Sequence, residues 1–362
     1  MKTVYYPLAG MNYIIDDLAQ IIENKITCDD KAINIWLSAQ VNSFPHIGTL
    51  TNFISGFILA EHFFNYFKLP VFIKVELLES VTGETIKYDN HDYYKNLVYS
   101  RHESGKSIKD YYYPYFLDIL ERLKEKTGIQ YEVLFFYEYQ KNILVKEALF
   151  EVINNAALLK NILDPKAGEI RLRVPCPRCG ITEKHIWKTS FIQNKNEIRV
   201  NSFCPEHGDF FVDINTDSDA IFDMNVPLRY LVKALFLLKS DELNMTKSVL
   251  VDGGDWSGMW PLRIYMESLI KLGKRSVPCV IYTPTITDWS GSKLSKRMYV
   301  GENAYREYNL EGLFNYSLLY KEYGEDAFDT LFAEINNWVK DPKKFIRDYS
   351  VEYMNGVLRK NN

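Results

Sequence analysis

The stretch INIWLSAQVNSFPHIGTLTN, residues 33–52, decides the fold. Ile33 to Ala39 form a short apolar run of strand length. Asn, Ser and Pro then mark a turn, and from His46 to Phe67 apolar residues recur at helical spacing. Strand, loop and helix in that order make half of a βαβ unit. In open α/β sheets ligands bind at the carboxyl ends of such strands.

The pattern continues outward. Upstream, Ile14, Ile15, Leu18, Ile21 and Ile22 fall on one helical face of residues 11–25. Downstream, VFIKVEL (71–77) predicts a second strand, 107–127 a helix, YEVLFF (131–136) a third strand and 141–160 another helix. Strands alternating with helices imply parallel pairing through right-handed crossovers, so a doubly wound Rossmann-type sheet is expected. From about 165 to 216 the alternation breaks into short polar-flanked strands around Cys and His. It resumes with a helix near 228–239, the strand SVLVDGG (248–254), a helix near 261–272 and the strand SVPCVIY (276–282). Four regions follow: 1–165 and 217–305 as the two halves of the α/β unit, 166–216 as an insertion, and 306–362 as a short helical tail. In the tail Trp338, Phe345 and Tyr349 are the expected packing residues.

With 47% hydrophobic and 25% charged residues among 362, the chain has material for a large core and is neither fibrous nor disordered. Forty-three Lys and Arg against 47 Asp and Glu give a net charge of −4. That excludes holding nucleic acid by overall charge, though not by a local basic groove. No run approaches the ~20 apolar residues of a membrane span, and the start does not read as a signal peptide. A cytoplasmic protein without a membrane partner is expected.

Three of the five cysteines cluster. CPRCG (176–180) and CPEHG (204–208) each hold two ligand-type residues two apart, with 24 residues between Cys179 and Cys204. Two facing turns of this kind supply Cys176, Cys179, Cys204 and His207 at tetrahedral spacing, which suits Zn²⁺ in a closed structural site. The alternative is a pair of Gly/Pro turns with buried thiols. His185 has the wrong spacing to join either pair, and Cys28 and Cys279 read as ordinary small apolar residues.

Three elements point to a nucleotide. Pro45-His46-Ile47-Gly48 opens a helix at a strand end: free N–H groups and the helix dipole suit phosphate, and Gly48 permits close approach. Asp252-Gly253-Gly254-Asp255 ends a buried strand, where the glycines make room and Asp255 can bind ribose hydroxyls. SGSKLSKRM (290–298) carries Lys293, Lys296 and Arg297 in five residues, able to neutralise phosphate charge. Taken singly, each is equally an ordinary cap, turn or basic loop.

Taken together, the chain resembles the catalytic domain of class I aminoacyl-tRNA synthetases, members of the HUP-like Rossmann folds, whose signatures are HIGH and KMSKS. His46-Ile47-Gly48-Thr49 matches the first, and Lys293-Leu294-Ser295-Lys296-Arg297 the second. Class I lysyl-tRNA synthetases are most similar, with a Cys-rich zinc insert and a D-W-P-x-R-W-like segment, here Met224-Asn225-Val226-Pro227-Leu228-Arg229-Tyr230. Thr49, Arg297 and Trp256 depart from the family pattern, and the segment after the second signature is shorter than an anticodon-binding domain. The resemblance implies an enzyme that condenses an amino acid, lysine by analogy, with ATP and Mg²⁺ to an aminoacyl-adenylate. The acyl group then passes to tRNA or a substitute acceptor. His46, Lys293 and Lys296 would act on the phosphates, and Pro45, Gly48, Thr49, Gly253, Gly254, Asp255 and Ser295 would line the nucleotide. Glu76 and Glu79 would face the substrate ε-ammonium. The remaining alternatives are a tRNA-independent ligase acting on a small molecule, peptide or carrier protein, and an inactive paralogue with a regulatory or RNA-binding role.

Overall fold

The computed structural model describes residues 15–80, 82–194, 197–215, 220–258, 260–294 and 310–359. Five parallel strands form the central sheet: β1 (Ala32–Gln40), β2 (Val71–Leu78), β5 (Tyr131–Phe135), β10 (Thr246–Gly253) and β11 (Cys279–Thr283). Their order is β11-β10-β1-β2-β5, so the chain winds one way from β1 and the other way from β10. The switch point lies between β1 and β10, where a doubly wound sheet opens a crevice.

Alternation along each strand feeds two cores. From β1, Ile35 and Leu37 point into one, while Trp36 points into the other. The first core is roofed by α1 (Ile47–Phe67) and α2 (Ile108–Thr127) and shared with the C-terminal helices α6 (Tyr316–Tyr323), α7 (Ala327–Val339) and α8 (Val351–Arg359). Helix α1 is apolar over most of its circumference because it sits between the sheet and the tail. No helix among the described residues is long and apolar enough to cross a membrane. The second core lies under α3 (Ile143–Asn154), α4 (Ala156–Leu163), α5 (Val226–Asn244) and a π-helix at Trp260–Glu267. In the tail, Trp338, Phe345 and Tyr349 are buried, and the Trp338 and Tyr349 rings stack with centroids 4.0 Å apart.

The inserted β structure has two parts. The hairpin β3 (Thr82–Tyr88) and β4 (His91–Asn96) pairs with β6 (Ile181–Glu183), and β7 (Ser190–Asn194), β8 (Glu197–Cys204) and β9 (Gly208–Asn215) form a separate antiparallel sheet. The hairpin was not expected from the sequence. It turns on Asp89 and Asn90, both at positive φ, the two-residue geometry that matches strand twist. Trp187 Nε1 donates to Tyr93 Oη at 2.8 Å, and the Trp187 ring stacks on His91 at 3.7 Å. The insertion is thereby seated on the hairpin.

Candidate functional site

At the carboxyl ends of β1 and β10 lies a cavity of about 470 Å³, lined by residues of every nucleotide-type element whose placement is described. His46, Gly48 and Thr49 come from the start of α1, Gly253 and Asp255 from the end of β10, and Lys293 and Leu294 from the loop after β11. Pro45 and Gly254 adjoin these residues in sequence. Ser295, Lys296 and Arg297 lie outside the described residues.

Local chemistry fixes the entry to α1. His46 is its N-cap, and its Nδ1 accepts the Gly48 N–H at 3.0 Å. An accepting Nδ1 places the proton of the neutral ring on Nε2, making that nitrogen the donor. A Cβ on Gly48 would lie 2.8 Å from His46 Cε1, so the glycine is what lets the ring fold back over the helix start. The turn is held from outside. Phe44 packs edge-on to Tyr112 and Tyr115 at 5.1 and 4.7 Å, and the Tyr316 N–H donates to the Pro45 carbonyl at 2.9 Å.

Across the cavity, a Cβ on Gly254 would meet Thr285 Oγ1 at 2.7 Å and the Thr283 carbonyl at 2.9 Å. Only glycine lets this backbone pass so close to the neighbouring strand end. Asp255 forms an ion pair with Lys293, which lies 6.0 Å from the centroid of the Trp256 ring. The loop leading to Lys293 is wrapped around Asp288, whose Oδ1 accepts from Ser290 N, Ser290 Oγ and Ser292 N at 2.8, 2.6 and 3.2 Å.

The cavity is also lined by Ser38, Arg229, Tyr230 and Asp252, to none of which the sequence reading gave an individual role. Ser38 pairs in register with Glu76 of β2, and Asp252 with Tyr282 of β11, so polar side chains cross the sheet at one level. Below this floor, Lys233 of α5 donates to Glu76 Oε2 at 2.6 Å and to Ser38 Oγ at 3.0 Å. Burial works against the Glu76 charge, but Lys233, Arg229 and the Ser38 hydroxyl together outweigh it and hold the carboxyl below its ordinary range. Asp252 has no ion pair among the described residues, and the Tyr230 hydroxyl donates to it. Burial pushes it up to about 6, with Glu76 and Asp255 adding repulsion against the pull of Lys233. Its signal was available, since it is an acid closing the apolar run Val249–Val251.

Glu76 and Glu79 are not among the residues lining the cavity. Glu76 is occupied by Lys233. Glu79 accepts the Tyr137 N–H at 3.1 Å and pairs with Lys109 at 3.6 Å.

The four sulfur and nitrogen ligands converge in the insertion. Cys176, Cys179, Cys204 and His207 place one ligand atom each within 4.8 Å of one another. Cys179 and Cys204 sulfurs are 3.5 Å apart, and His207 Nδ1 lies 3.6 and 3.5 Å from the sulfurs of Cys176 and Cys204. Tetrahedral Zn–S and Zn–N bonds of about 2.3 and 2.0 Å put ligands roughly 3.5–3.8 Å apart, so the cluster has the dimensions of such a site. Gly180 and Gly208, at φ +77, turn the chain after each half-motif. His185 faces elsewhere and meets Arg171 at 3.1 Å. Of the other two cysteines, Cys279 is buried as expected, and Cys28 is exposed.

No protein-family model and no curated protein matches this chain. Among solved structures it is similar to a Campylobacter jejuni protein named as an arginyl-tRNA synthetase, at 12% identity and a TM-score of 0.36, over 84% of this chain and 62% of that one. It is also similar to glutamate-tRNA synthetase from Elizabethkingia anophelis, at 10% identity and a TM-score of 0.38, over 90% of this chain and 70% of that one. The likeness concerns the fold, at low identity.

Proposed function

We propose that the protein activates an amino acid with ATP, forming an aminoacyl-adenylate and pyrophosphate, and passes the acyl group to tRNA or to a substitute acceptor. The supporting observation is that one cavity collects the start of α1, the Gly253–Asp255 turn and Lys293. A carboxylate oxygen of the amino acid attacks the α-phosphorus, the bond to the β-phosphate breaks, and pyrophosphate leaves. Positioning and charge stabilisation carry such a reaction. The α1 N-terminus and the His46 donor face the phosphates, Asp255 is placed for the ribose, and Lys293 supplies positive charge toward the leaving group. Mg²⁺ enters with the triphosphate. Ser38 and Asp252, acceptors of the lining, favour a substrate that carries an ammonium.

The test is ATP–pyrophosphate exchange against all common amino acids, with and without tRNA. Exchange dependent on one amino acid and lost in Lys293→Ala supports the reading. No exchange with any of them refutes it, and transfer assays on the adenylate then separate tRNA from other acceptors. In the insertion, the three thiolates and His207 suit Zn²⁺ in a structural role, since all four positions are filled by protein. About one equivalent of zinc by elemental analysis is expected.

A further inference from the structure

We infer that the activated amino acid is a dicarboxylic one, whose side-chain carboxylate is received by Arg229. The inference rests on the adenylation reading and names the substrate class of that site.

Ser38 determines the direction in which the substrate lies. Its hydroxyl donates to Glu76 at 3.1 Å and accepts from Lys233 at 3.0 Å. With its only proton committed, the oxygen has one lone pair left and can offer the cavity nothing but an acceptor. Asp252 beside it is also an acceptor when ionised. Two acceptors on the floor suit the α-ammonium. The α-carboxylate must then point toward the nucleotide elements to reach the α-phosphorus. Leu78, Arg229 and Tyr230 also line the cavity, and the side chain is assigned to them.

Among the lining residues Arg229 is a cation with no close ion pair, Glu76 acting on it only at longer range. Among the described residues no carboxylate lies within 4.0 Å of its guanidinium, which makes no hydrogen bond and only a distant contact with the Phe136 ring at 5.9 Å. The nearby acid Glu76 is already neutralised by Lys233. A half-buried guanidinium in this state is matched by a carboxylate that can bridge two of its N–H groups. Lysine fits poorly by the same reasoning. Its ε-ammonium would meet a like charge at Arg229, Glu76 and Glu79 are engaged inside the protein, and Asp252, the acid of the lining, is taken by the α-ammonium.

The experiment compares pyrophosphate exchange with aspartate, glutamate, asparagine, glutamine and lysine for the wild type, Arg229→Ala and Arg229→Lys, with thermal melting to verify folding. Exchange with aspartate or glutamate is expected, at least about 100-fold above its amide. That preference should collapse in Arg229→Ala and return in part in Arg229→Lys. Wild-type exchange with lysine or a neutral amino acid alone overturns the substrate class and leaves adenylation standing. Equal losses for every substrate in Arg229→Ala assign the guanidinium to the α-carboxylate or a phosphate and also overturn it. If no amino acid supports exchange, adenylation fails, and equilibrium dialysis with labelled aspartate and glutamate decides the rest. Binding that Arg229→Ala abolishes keeps the subsite, and no binding at millimolar ligand removes it.

Discussion

Because Nδ1 of His46 accepts the Gly48 N–H, capping of α1 and donation from Nε2 belong to different ring atoms, and substitution can separate them. His46→Asn keeps a capping side chain and should leave stability within about 0.5 kcal/mol, while His46→Ala should lose about 1 kcal/mol. Both should slow adenylation by roughly 100-fold if the Nε2 donor acts on the phosphates. Urea midpoints and exchange rates measure the two effects, and a fully active Asn variant would remove the donor from the mechanism. Asp252 makes a second residue-scale prediction with a definite sign. Its carboxyl is pushed up to about 6 in the folded protein, above the ordinary ~3.9 of an unfolded chain. Ionising it therefore costs stability, a cost that is absent below about pH 4, grows as pH rises toward 6 and is complete above that. Asp252→Asn should accordingly stabilise the fold by up to about 3 kcal/mol at pH 8 and by almost nothing at pH 4. Its substrate KM should rise sharply and be flat below pH 6, where the wild-type KM is expected to increase. Equal stabilisation at both pH values would mean that desolvation of this carboxylate is not the cause.

At the scale of elements, what the sequence revealed and what it hid follow from burial. The central strands are legible because strands packed on both faces are dense in β-branched and large apolar residues, as in Ile33–Ala39 and Val71–Leu77, with only one or two polar residues each. The hairpin β3–β4 was missed because β3, TGETIKY, is largely exposed and carries no apolar alternation, leaving Asp89-Asn90 as its one local signal. The floor of the candidate site was hidden for another reason. A lysine within a helical pattern reads as solvent-facing, and Lys233 meets Glu76 across 157 residues of sequence. The cluster of three cysteines and His207 was legible because four ligand-type residues on two similar turns need only local geometry. Removing the metal should loosen more than the turns: Cys176, Cys204 and Ile181 pack with Tyr93 of β4 in one small cluster. Chelation should raise hydrogen exchange across 176–215 and in the hairpin 82–96, with the central strands unaffected. For modules of this size metal binding amounts to about 10 kcal/mol of apparent folding energy. Unchanged exchange in both segments after complete metal removal would show that the small apolar cluster suffices.

At the scale of the whole molecule, the C-terminal helices belong to the body of the α/β unit. One continuous core joins Ile35 and Ile73 of the sheet, Phe53 and Phe57 of α1, and Leu331, Trp338, Met354 and Leu358 of the tail. The tail also reaches the cavity's edge, through the Tyr316 N–H on the Pro45 carbonyl and through Tyr349–Ser350, which pairs in parallel with Ile286–Thr287 just before the Lys293 loop. Both flanks of the nucleotide elements thus lean on residues beyond 310, and a chain cut at 309 would leave an apolar face of α1 in water. Such a truncation should fail to fold cooperatively. The point variant Trp338→Ala, which empties a fully buried indole stacked on Tyr349, should cost about 3–5 kcal/mol. It should lower the stability of sheet and tail together in a single transition. Far-ultraviolet dichroism and hydrogen exchange in β1 and α7 would follow it. Separate transitions for those two elements, or a truncated chain that still binds ATP, would mean that the tail docks onto an independently stable α/β unit.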